Sequence, residues 1–123
     1  MNENIREYAK IGLVHHLLYP ECGEDPEIHV ATLLEFLKRS DIETLDCCLP
    51  YGEEHRSKLI PAIRSCGKTV SFAIHFYPLR NLPLAARTPA NYAQTWMIMD
   101  DMIAQAAAIG AEGFVFGAGT PSY

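Results

Sequence analysis

Residues 102–119, MIAQAAAIGAEGFVFGAG, decide how the chain folds. They hold the end of an apolar helical run, a glycine at Gly110 that stops it, and a short strand-like run at 112–117, EGFVFG. Glycine suits that stop because it adopts left-handed backbone angles at no steric cost. Upstream, Thr88 and Pro89 supply an N-cap and a first-turn proline. Tyr92, Trp96, Met99, Ile103 and Ala106 then fall at helical spacing and predict the core-facing stripe of a long helix. A methionine and aromatic stripe of this kind is packing material rather than a cofactor box.

The same grammar recurs on the N-terminal side. Strand-like runs are expected near residues 10–16, 44–49 and 69–76, the first ending at His15 and His16 and the third reading TVSFAIHF. Their near-continuous apolar character suits a parallel sheet. Between the first two, Asp25 and Pro26 open a helix in which Val30, Leu33, Leu34 and Leu37 share one face. Between the next two, Leu59, Ile60, Ile63 and Cys66 mark a second helix ending at Gly67. Pro61 predicts that this helix starts late or kinks, since proline lacks an N–H and crowds the preceding turn.

The order is therefore βαβαβαβ, an α/β chain of four βα-type units whose crossovers force parallel, right-handed pairing. A small doubly wound sheet and part of an eight-stranded barrel both satisfy it. Residues 117–123, GAGTPSY, follow the fourth strand as a loop where an open sheet would carry a covering helix. The expectation is a single partial barrel over residues 1–123, half of a (β/α)8 TIM barrel.

Composition narrows the function classes. The 123 residues are 49% hydrophobic and 20% charged, with a formal net charge of −5. That is ordinary for a globular domain and too apolar for disorder. No basic stripe speaks for nucleic acid. No apolar run approaches the roughly 20 residues of a membrane span. The polar opening lacks a signal-peptide core, so a cytoplasmic location is expected. Cys22, Cys47, Cys48 and Cys66 show no C-x-x-C spacing and read as free thiols in a reducing compartment.

Four segments together resemble the xylose-isomerase-like superfamily of sugar phosphate isomerases and epimerases. These are AKIGLVHH at 9–16, IETLDCCLP at 42–50, TVSFAIHFYP at 69–78 and the opening stretch at 102–119. They are similar to strands one to four of that barrel and span nearly the whole chain but half of the barrel. The resemblance implies that the intact protein isomerises or epimerises a small sugar or sugar phosphate by metal-assisted proton transfer. It also implies a divalent metal ion whose usual ligands, like the acid/base carboxylates, come from later strands. No metal ligand or catalytic residue is assigned in this chain. Gly117, Ala118 and Gly119 stand where nuclease relatives carry histidine, proline and glycine, so a multi-zinc nuclease site is not expected.

In parallel α/β folds ligands bind at the carboxyl ends of the strands. His15, His16, Asp46, His75 and Tyr77 fall there. Alternation along the first strand puts His15 and His16 on opposite faces, and His16 is expected to face the barrel axis with Ile11 and Leu13 toward the helices. Asp46 interrupts an apolar strand, a costly placement unless the carboxylate has partners. In the resemblance, Asp46 and His75 match an acidic residue and a histidine at the ends of strands two and three. His16, Asp46 and His75 are accordingly the candidate substrate-binding residues, contacting sugar hydroxyls. The loop at 77–88 holds Arg80 and Arg87, either of which would suit a phosphate or carboxylate. A second reading is a non-catalytic half-barrel module that binds a small molecule or assembles, as a homo-oligomer or with a missing C-terminal half.

Overall fold

The structure is a computed structural model and describes residues 4–74 and 88–116. The chain alternates strands and helices. Strand β1 (Gly12–Val14) runs into a single helical turn, α1 (His15–Leu18), and a 3-10 turn at Pro20–Gly23. Then come α2 (Pro26–Leu37), β2 (Thr44–Cys47), α3 (Glu53–Ser65), β3 (Thr69–Ile74), α4 (Pro89–Ala108) and β4 (Gly113–Phe116).

All four strands are parallel and lie in the order β1-β2-β3-β4. Sequential neighbours joined by right-handed crossovers place their helices on one face, so the sheet is singly wound. The core agrees. Leu33 and Phe36 of α2, Leu59 and Ile63 of α3, and Met99, Met102 and Ala106 of α4 share one cluster with Leu45, Cys47, Val70 and Phe72 of the sheet. Removing each large side chain from water is worth about 2 kcal/mol. The sheet's other face carries the alternate positions. There Val14, Thr44, Asp46, Thr69 and Ser71 are half-buried, and Gly12 and Gly113 are exposed. The architecture is compatible with half of a βα barrel.

The cap signals act where the sequence places them. Asp25 Oδ1 accepts from the backbone N–H groups of Glu27 and Ile28 at 2.9 and 3.2 Å. Thr88 Oγ1 accepts from Asn91 N–H at 3.3 Å. Gly67 and Gly110 take φ of 72° and 70°, the left-handed angles expected just past a helix end. Gly12 serves a different purpose. An added Cβ would lie 1.6 Å from Thr44 Oγ1, so only glycine lets β1 and β2 meet at the register Gly12↔Thr44.

Three expectations are corrected. The first strand ends at Val14 rather than 16, because the backbone turns helical at His15. Helix α3 starts at Glu53 and runs through Pro61, so the proline does not delay its start. On α4, Thr95, Met99, Met102, Ala106 and Ile109 at its end are buried, while Tyr92, Trp96 and Ile103 of the expected stripe are exposed. The buried face is turned to one side of the expected one, with small and sulfur-bearing residues meeting the sheet and the largest rings outside. Among the described residues no helix is long and apolar enough to cross a membrane.

Candidate small-molecule site at the carboxyl end of the sheet

Each strand delivers its last residues to one end of the sheet, because all four run the same way. Asp46 is the third residue of β2, paired with Val14 on β1 and Ser71 on β3. Its neighbours Leu45 and Cys47 are buried against the helices, so the alternation of β2 puts the Asp46 carboxylate on the opposite face, with Oδ1 itself buried. His16 follows Val14 by two residues, on α1, and is 8% exposed. His75, the third candidate, lies outside the described residues, directly after β3. So do Tyr77, Arg80, Arg87 and the loop at 117–119.

At the opposite, amino end of the face away from the helices, Lys10 Nζ donates to Thr69 Oγ1 at 2.7 Å. The Ile11 N–H donates to Glu43 Oε2 at 3.0 Å. These bonds tie the residues before β1 to β3 and to the residue before β2, at the end where the family resemblance places no substrate. The carboxyl end therefore combines a carboxylate that accepts hydroxyl hydrogen bonds with an imidazole that donates or accepts. Among the described residues, no three His, Cys, Asp or Glu side chains stand where they could hold a metal ion. His16 and Asp46 alone do not make up the divalent-metal site of the resembled family, and no chemistry is routed through one here.

The alternation argument for β1 separates His15 from His16 by face, but that rule lapses once the strand becomes a helical turn. Both histidines are buried, and His15 at 0% exposure is the deeper. It packs beneath α2 with its Nε2 2.9 Å from Thr32 Oγ1 and its ring centroid 5.2 Å from that of His29. His29, 1% exposed, places Nε2 3.0 Å from the Cys48 carbonyl oxygen. The Cys22 sulfur lies 4.0 Å from His15 Nδ1. Sequence reading missed this cluster. The signal was present, since His29 lies four residues before Leu33 and seven before Phe36, on the buried face of α2.

Burial sets the protonation states. His15 is pulled down to about 4 by desolvation, with the positive charges of His29 and His16 adding to the effect. Desolvation lowers His29 as well, against hydrogen bonds to the Cys48 and Cys22 backbones. The same desolvation pushes the Cys22 thiol up to about 11, the Cys47 thiol up to about 12, and Cys48 well above the usual thiol range. All four cysteines are free, and these three are protonated and unreactive near neutrality.

No protein-family model, curated protein or solved structure matches the chain.

Proposed function

We propose that the chain is a half-barrel unit of a sugar or sugar phosphate isomerase/epimerase, with His16, Asp46 and His75 contacting the hydroxyls of a small sugar. The observation that carries this reading is the Asp46 carboxylate on the face opposite the helices, at the carboxyl end of a singly wound parallel sheet. Active sites of barrels collect at that end. A carboxylate within a strand suits recognition of vicinal hydroxyls, because each oxygen accepts two hydrogen bonds. In the intact protein the reaction would be proton transfer next to a carbonyl. Its acid, base and metal ligands would belong to strands other than these four.

The second reading is a non-catalytic module that binds a small molecule at the same end of the sheet. Titration calorimetry with aldoses, ketoses and their phosphates separates both readings from no binding at all. Binding that Asp46→Asn or His16→Ala weakens tenfold or more, in a variant with an unchanged fold, is expected. A chain that binds none of these sugars, or binds them equally well in both variants, contradicts the site. For the chain alone no turnover is expected, since acid–base groups must lie within hydrogen-bond reach of the moving proton. Metal-dependent isomerisation by the purified 123-residue chain would overturn that.

A further inference from the structure

A second feature of the carboxyl end is independent of the sugar-site reading. Residues 15–25 cross from the end of β1 to the start of α2 as one helical turn and one 3-10 turn. Of these eleven residues only His15, His16 and Cys22 are buried, while Leu17 and Leu18 point out. The segment is therefore held down by those polar and sulfur-bearing side chains and by one half-buried ring, Tyr19, which packs against the core beside Phe36. Segments with so little buried apolar surface open locally at low free-energy cost.

The hydrogen bonds of the His15 ring permit one neutral form. Thr32 Oγ1 donates its single hydrogen to the Ile28 carbonyl at 2.7 Å, so toward His15 it accepts, and Nε2 carries the proton. Nδ1 is then a lone pair facing the protonated Cys22 thiol. A proton added at Nδ1 would find only the thiol sulfur, a weak acceptor. The other groups around the ring are His16 from α1, Tyr19 just after it, His29 from α2, and Phe36, an edge-on ring at 5.8 Å. Around His29 stand the Cys48 and Cys22 backbones, and the carboxylate acting on Cys22 is the exposed Glu21. The neighbouring charges acting on His15 are thus histidines, which repel an added proton.

We propose that the His15–His29 pair is an acid-operated latch: when the buried rings take up protons, residues 15–25 lift from α2 while the sheet and its helix layer stay folded. Lifting this segment would expose the carboxyl ends of β1 and β2, and the pair would thereby couple access to that end of the sheet to pH. The latch needs no ligand and does not depend on what binds there.

Amide hydrogen exchange of the 123-residue chain between pH 7.5 and 4.5, corrected for intrinsic rates, tests it. The expected result is a loss of protection of tenfold or more across residues 15–25, which at every pH exchange through an opening of lower free energy than Val70 to Ala73 of β3. In His15→Gln, which keeps a hydrogen-bonding side chain that does not titrate, the acid step should shrink to less than threefold. If that variant does not fold, His29→Gln is held to the same criterion, and NMR titration of the two wild-type histidines must in either case place the opening at their proton uptake. Segment and sheet exchanging through one common opening at every pH, no loss, or a step retained in a folded glutamine variant would each overturn the latch.

Discussion

Placing alanine at position 12 would put its Cβ 1.6 Å from Thr44 Oγ1, 2.9 Å from Thr44 Cβ and 3.0 Å from the Thr44 carbonyl oxygen. Overpacking of this kind costs about 1–3 kcal/mol, and a strand pair offers little room to relax. Gly12→Ala should lower stability by that amount in urea denaturation, and adding Thr44→Ala should restore part of it, because only the hydroxyl contact is removed. His15 predicts a pH dependence. Its folded value near 4 lies below the ordinary 6.5, so between those limits the unfolded chain binds protons that the folded chain refuses. Stability is then full above pH 6.5, falls as the pH drops toward 4, and levels off below. For this ring alone the loss approaches about 3 kcal/mol. Denaturation midpoints from pH 7.5 to 4 check it, and a flat profile would contradict it. At this scale Asp46 was legible, because a charged residue inside an apolar strand stands out and β2 keeps its alternation through it. His15 was not, since its burial depends on where β1 stops, and three residues give periodicity too little length to mark an end.

Among the elements, α3 carries a testable irregularity. Pro61 sits in the interior of Glu53–Ser65, where it cannot donate to the carbonyl four residues back, at Ser57. The residue is exposed, so the ring contributes little packing. Pro61→Ala should raise the melting temperature through about 1–3 kcal/mol of added stability, and a lowered one would contradict this. Helices were the best-read elements because caps and stops are local chemistry. Asp25 with Pro26, Thr88 with Pro89, Gly67 and Gly110 all act as the residue types dictate. The face of α4 was misread for a physical reason: ring size was taken as the guide to burial. The sheet instead receives Thr95, Met99, Met102 and Ala106, with Thr95 returning its hydroxyl to the Asn91 carbonyl at 2.8 Å.

For the whole molecule, periodicity alone left the strand order open, because it sets strands and crossovers but not which strands become neighbours. The half-barrel expectation implies the order β1-β2-β3-β4 that the pairing shows. That order leaves β1 and β4 as edges among the described residues, with Val115 and Phe116 exposed on β4 and Tyr92, Trp96 and Ile103 exposed on α4. Open edges and apolar patches of this kind promote association. The isolated chain should therefore self-associate at micromolar concentration in ultracentrifugation, and Phe116→Lys with Trp96→Lys should reduce it. A wild-type monomer under those conditions would count against this. The central claim is that a small sugar binds where Val14, His16 and Asp46 meet at the carboxyl end of the sheet. A 1H–15N NMR titration of the chain with monosaccharides tests it most directly. The account predicts saturable shifts concentrated at residues 14–16 and 46–50 and lost in Asp46→Asn. Saturable shifts confined to the amino end near Lys10, Glu43 and Thr69, or no shifts with any sugar, would contradict it.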